Sequence, residues 1–290
     1  MYTLTIPFPP QATSTPTIFA YNTKIVITET LAPSPTKIST STVIPTPAIN
    51  NLKDKANLIL IPSGSFIMGS SSKTDPYFWG AEGPPHTVNL RGFYIYETEV
   101  TNEMYENCVK EKACPRPEQT YSRTRKNYYG NPEFQNYPVI YVSWVHALSY
   151  CQWAGGRLPT EAEWEKAARG TDGRLFPWGN TASGDLSNFC GDICANDTYP
   201  VGQFITGRSP YGVLDMAGNV WEWAQDFFNT GYYSKSPVDN PRGPANGDRR
   251  VIRGGAWHNP AEGVRVVARA SLKPNNTLDT LGFRCVVELP

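Results

Sequence analysis

The sequence predicts an α+β domain over residues 56–290, rich in loops and poor in regular secondary structure, behind a disordered Thr/Pro/Ser-rich stalk or linker over residues 1–55. Two observations carry this. The chain of 290 residues holds 24 glycines and 26 prolines, which punctuate structure and leave room mainly for short strands and helices. Composition also changes near residue 55: Thr, Pro and Ser dominate from Thr3 to Asn51, whereas aromatic and glycine-rich sequence with short apolar runs follows from Ala56. The first part cannot bury enough apolar surface to offset its ordering entropy. The second is long enough to enclose a core.

Leu58–Pro62 and Gly64–Gly69 read as an opening strand pair, and His86–Leu90 with Phe93–Tyr96 as two more strands. Thr101 starts a helix to about Val109, in which Met104, Tyr105, Cys108 and Val109 recur at helical spacing. A second helix spans Ser143 to Ala154 and carries Trp144, Ala147, Leu148, Cys151 and Trp153. The third opens within Arg157–Glu165: Thr160 caps it, Glu163 reaches back to close a capping box, and Glu161 suits the positive end of the dipole. After Gly170 the chain is mostly loop, and polar loops pack only if something satisfies their carbonyls.

Lys and Arg number 26 and balance 26 Asp and Glu without forming a stripe, which argues against nucleic acid as a partner and against a polybasic membrane patch. No stretch reaches the apolar length of a membrane span, and the first residues lack the charged-then-apolar order of a signal peptide. A Thr/Pro stalk holds a domain away from a surface, so anchoring through upstream sequence is the expectation. The six cysteines, Cys108, Cys114, Cys151, Cys190, Cys194 and Cys285, form no CxxC pattern; an even count of this kind fits three disulfides and an extracytoplasmic compartment. Local spacing favours Cys108 with Cys114 and Cys190 with Cys194, leaving Cys151 with Cys285, a long closure worth about 4–5 kcal/mol in the chain-entropy model. Six reduced, buried thiols in a cytosolic protein are the alternative.

Three motifs carry a resemblance. Gly212–Trp223 sets two tryptophans, a carboxylate and an Asx pair in one turn; Arg253-Gly254-Gly255-Ala256-Trp257 and Leu281-Gly282-Phe283-Arg284-Cys285 follow it. Together with Phe176–Asn180, Pro200–Phe204 and Ser209–Met216, they resemble the formylglycine-generating enzyme family, the sulfatase-modifying factors, from about residue 56 to the end. The resemblance implies a variant of the C-type lectin fold. It also implies the Cys151–Cys285 pairing and a scaffold role for Arg157–Glu165, whose paired carboxylates would otherwise suggest acid/base work.

Carried over position by position, it implies structural Ca2+. Asp215 and Glu222 would give side-chain oxygens, and Gly218 and Val220 carbonyls, to one ion. Asn188, the carbonyl of Phe189, Asp197 and the carbonyl of Tyr199 would hold a second, on a loop that is shorter here and contains Cys190 and Cys194. A hard cation taking about six to eight oxygens suits such an alternation. An Asx-rich turn closed by its own hydrogen bonds is the structural alternative.

The catalytic residues depart from the family. Members that oxidise a substrate cysteine follow the Arg-Gly-Gly run with a serine and two copper-binding cysteines. Here Ala256, Trp257, His258, Asn259 and Pro260 follow, and no cysteine lies between Cys194 and Cys285. Cu(I) selects soft thiolates, so copper is not expected. The iron-binding branch uses three histidines, whereas His86, His146 and His258 are all this chain has, on unrelated elements. No GxSxG elbow, HExxH helix or phosphate-cradling loop occurs.

In the family, the segment Trp257 to Asn276 lines the ligand face; here it carries Trp257, His258, Asn259, Glu262, Arg265, Arg269, Asn275 and Asn276. Diversified variable proteins of bacteria and phages resemble this stretch too, but Asn259, Asn275 and Asn276 are a thin match to their asparagine-heavy run. The expectation is a pseudoenzyme: a calcium-stabilised module for a protein, peptide or glycan ligand. The alternative is a metal-dependent oxidase of the same superfamily with an altered active site.

Overall fold

The computed structural model describes residues 49–50, 53–191 and 194–289. The expected stalk lies outside the described residues except for 49–50 and 53–55. Three sheets form. β1 (Ile49–Asn50), β2 (Asn57–Ile61), β5 (Phe93–Tyr96) and β10 (Val286–Glu288) make an antiparallel sheet in that order. β3 (Gly64–Met68) and β4 (His86–Leu90) pair separately. The third sheet runs β8 (Arg269–Leu272), β7 (Arg250–Arg253), β6 (Trp221–Phe227), β9 (Leu281–Gly282), with β9 parallel to β6.

The opening strand pair expected from sequence therefore does not form: β2 takes β5 as its partner and β3 takes β4. Alternation fixes which face of a strand is buried but not which neighbour supplies its ladder, and Pro62 directly after β2 has no N–H to carry that ladder on. The packed domain also extends back past Ala56. Ile49 pairs with Leu58, and buried Asp54 accepts hydrogen bonds from the hydroxyls of Tyr96 (2.5 Å) and Tyr150 (2.7 Å).

The three expected helices are present. α1 (Asn102–Lys110) and α2 (Trp144–Trp153) are capped by Thr101 and Ser143. α3 (Glu161–Arg169) carries the capping box between Thr160 and Glu163. Every residue of α3 is buried, charged ones included. Its charges are matched inside the domain: Glu161 pairs with Arg253 and Arg269, Glu165 with Arg169 and Arg253, and the Lys166 ammonium donates to the carbonyls of Pro62 and Gly64.

One apolar cluster surrounds α1 and α2 with Trp223 and Phe283; a second joins Trp164 to β3 and β4. All six cysteines are paired as the spacing suggested. Cys108, Cys114, Cys151 and Cys285 are buried, whereas Cys190 and Cys194 are half-exposed. No helix among the described residues is long and apolar enough to cross a membrane.

Candidate functional site

The turn entering β6 is built on left-handed backbone at Asp215, Gly218 and Asn219. Gly218 is required there: its φ is +80°, and a Cβ would stand 2.2 Å from the carbonyl oxygen of Asn188. The turn delivers Glu222 into the interior. Its carboxylate accepts from the Arg284 guanidinium at 2.7 and 2.8 Å and from the Trp164 indole at 2.9 Å. Arg284 spends its remaining donors on the carbonyls of Tyr96, Glu97 and Leu214. Asp215 accepts from the Gly202 amide at 2.6 Å.

A third carboxyl, which the sequence did not single out, completes this group. Glu99 is fully buried beside Asp215; one oxygen accepts from the Asn219 amide at 3.0 Å, and the side chain shares a hydrogen bond with the Asp215 carboxyl. Burial pushes the Glu99 carboxyl well above the usual range, and the neighbouring Asp215 charge adds to it. Burial raises Asp215 as well. Burial disfavours the charged forms of Glu99 and Asp215, while the Arg284 guanidinium balances the Glu222 carboxylate. Among the described residues no three His, Cys, Asp or Glu form a metal-ligand group. The expected set of Asp215, Gly218, Val220 and Glu222 supplies two carboxylates, of which Glu222 has both oxygens engaged by Arg284 and Trp164.

The second expected set is built around a carboxylate that is engaged as well. Asp197 already accepts from the Ser122 hydroxyl (2.7 Å), the Thr124 amide (2.9 Å) and hydroxyl (2.6 Å), and the Thr198 amide (2.8 Å), and it pairs with Arg125 at 3.0 Å. Burial would raise its carboxyl, but these donors hold it below the usual value. The Asn188 amide nitrogen donates to the Asp197 carbonyl, its oxygen is buried without a partner, and the Tyr199 carbonyl faces the Asn219 amide. Phe189 is buried in a small aromatic cluster with Phe176.

The eight residues expected on the ligand face separate. Trp257 and His258 line a cleft of about 540 Å³ with Arg123, Asn196, Leu278, Asp279 and the Cys190–Cys194 disulfide. The Trp257 ring is buried, its indole N–H has no partner, and it meets His258 edge-on at 5.3 Å. Burial lowers the His258 pKa, opposed by Asp279 and assisted by Arg123. Asn259 turns inward: its side chain accepts from the Ala256 amide, and its carbonyl accepts from the Cys190 amide.

Arg265 and Arg269, expected to face a ligand, are instead buried structural cations. Arg265 pairs with Asp75 and Glu82, and Arg269 with Glu161. Glu262 is exposed beside them, and all three line a separate groove with Trp79. Asn276 closes a turn by accepting from the Lys273 amide, and Asn275 is exposed. Arg123 and Asp279 are cleft residues missed from sequence, because isolated charges in loops carry no periodic signal. The three histidines do not converge: His86 packs on Tyr233, and His146 lies in α2. Gly254 and Gly255 permit close packing, with a Cβ on Gly255 only 2.6 Å from the Gly263 carbonyl oxygen.

Comparison with known proteins follows the same lines. The sulfatase-modifying factor enzyme 1-like domain matches residues 45–289. The chain is 35% identical to a formylglycine-generating enzyme of Streptomyces coelicolor, across 78% of this chain and 88% of that protein. It is 30% identical to the inactive C-alpha-formylglycine-generating enzyme 2 of Bos taurus, across 79% and 87%. It also matches the serine/threonine-protein kinase pkn1 of Chlamydia pneumoniae at 34% identity, across 79% of this chain but only 37% of the kinase's length. Among solved structures, PvdO from Pseudomonas aeruginosa superposes with a TM-score of 0.72 at 26% identity, covering 85% of this chain and 99% of that one. The chain belongs to the sulfatase-modifying factor enzyme 1-like, or formylglycine-generating enzyme, family.

Proposed function

We propose that this domain is a calcium-stabilised ligand-binding module acting outside the cytoplasm, without formylglycine-generating activity. The observation that carries the reading is the absence of any thiol at the cleft. Ala256 stands where the family's oxidising members carry a serine, the residues after it supply neither of the two copper-binding cysteines, and all six cysteines are held in disulfides. A neutral imidazole at His258 is a poor substitute for two thiolates toward Cu(I). The cleft is of a size that takes small ligands or a peptide or glycan segment, and it combines an aromatic wall with both signs of charge. Three disulfides support an oxidising compartment. The gathering of the Glu99, Asp215 and Glu222 carboxyls at one turn supports one calcium ion, whose charge would favour their ionised forms.

The test is an oxidation assay. Purified protein is incubated with copper, oxygen and a cysteine-containing sulfatase-type peptide, beside a competent formylglycine-generating enzyme. The peptide mass should stay unchanged with this protein and shift with the control. A copper-dependent aldehyde product would overturn the reading in favour of an oxidase with an altered site.

A further inference from the structure

Two large aromatic side chains stand half in water on one loop: Tyr77 is 52% exposed and Trp79 50%. The loop beneath them is pinned from inside. Asp75 and Glu82 are buried and paired with Arg265, and the same two carboxylates accept the Tyr77 amide at 2.9 Å and the Trp79 amide at 3.1 Å. Phe228 stacks on Trp79 with 7° between the ring planes. Holding two such rings in place while leaving them wet forgoes much of the area they could bury, and exposed aromatic groups of this kind mark interaction surfaces. Tyr77 and Trp79 line a groove of about 340 Å³ with Trp221 and Glu262. The groove shares no residue with the cleft at Trp257 and His258.

The chemistry left free in this groove is of one sign. Arg265 and Arg269 also line it, but both are buried and matched, Arg265 by Asp75 and Glu82 and Arg269 by the two oxygens of Glu161. Glu262 is exposed, and its carboxylate has no cation of its own among the described residues. Its main-chain carbonyl accepts from the Arg265 Nε–H at 2.8 Å, which fixes the residue at the groove wall. An incoming group therefore meets a carboxylate and the electron-rich faces of Tyr77, Trp79 and Trp221, a combination that attracts a cation. A planar guanidinium can stack on such faces while its edge donates to a carboxylate, which a compact ammonium does less well. We propose that this groove docks a partner polypeptide through an arginine side chain, which stacks on Trp79 and Tyr77 and donates to Glu262. This surface is additional to the cleft at Trp257, and neither depends on the other.

The experiment titrates the isotope-labelled full chain with a Gly/Ser host peptide carrying one central arginine, and follows amide shifts by NMR. The same peptide with citrulline, which keeps the shape and loses the charge, is the control, and chitotriose represents a neutral glycan. The arginine peptide should move the amides of residues 77–82 and 262–263 with a Kd on the order of 1 mM, as a single anchor allows, and citrulline should leave them in place. Trp79→Ala should weaken binding about fivefold. Because that change also removes the stack on Phe228, Glu262→Gln serves as the variant that spares the fold; it should weaken binding about threefold and flatten its dependence on salt. Equal shifts from the arginine and citrulline peptides would overturn the proposal, as would shifts confined to Trp257 and His258, or chitotriose occupying the groove when the arginine peptide does not. No shift at residues 77–82 with millimolar arginine peptide would overturn it too.

Discussion

Asp226 shows what this interior does to a single carboxyl. It is buried at the start of α3, where it accepts from the Glu161 amide at 2.9 Å. Burial, reinforced by the Glu161 charge, pushes its pKa up to about 8. An unfolded Asp titrates near about 3.9, so the folded chain holds this proton more tightly than the unfolded one. The resulting stabilisation is full below about pH 4 and is lost as the pH rises through about 8. Urea melts between about pH 5 and 8 should therefore show wild-type stability falling relative to Asp226→Asn, whose amide cannot ionise. Parallel profiles for the two proteins would show that Asp226 is ionised throughout. The same interior explains why Glu99 was illegible from sequence. Glu97 and Glu99 flank Thr98 alike in the chain, yet only Glu99 points into the carboxyl group around Asp215.

At the scale of elements, the sequence was readable wherever the interaction was local. The caps of α1, α2 and α3 lie within three residues of their partners, and all three helices begin where those caps place them. Thr160→Ala removes the hydroxyl that accepts from the Glu163 amide at 3.2 Å. That change should cost about 1 kcal/mol in a denaturant melt, more than a solvent-facing threonine would. A cost near zero would mean that the surrounding ion pairs hold α3 without its cap. What sequence did not reveal spans long separations. Glu161 meets Arg269 across 108 positions, and Glu165 meets Arg253 across 88. Arg265 and Arg269 accordingly resembled surface residues, because no local pattern marks a buried arginine whose partner lies elsewhere in the chain. The exchange of partners between β2 and β3 has the same origin, since burial pattern is local and strand pairing is not.

For the whole molecule, the question is what holds long polar loops around two modest cores. Covalent closure is part of the answer: Cys151–Cys285 spans 134 positions and ties α2 to the chain just before β10, worth roughly 5 kcal/mol in the chain-entropy model. The proposed ion is the other part, and it can be separated from the disulfides because a chelator leaves them intact. An ion bound only by the folded state stabilises it by about 2.7 kcal/mol at a hundredfold excess over Kd. For a domain of this size that corresponds to a fall of roughly 5–10 °C in Tm when calcium is replaced by EDTA. Glu99→Gln discriminates further. Without calcium the shift of Glu99 toward its neutral form already relieves the repulsion from Asp215, so the variant should melt close to the wild type. With calcium the variant should melt lower, because the wild type gains the ion's contribution and the variant has lost part of the negative charge that balances it. Melting curves that are insensitive to EDTA in both proteins would remove calcium from this fold and leave Arg284 as the sole counter-charge to the buried carboxyls.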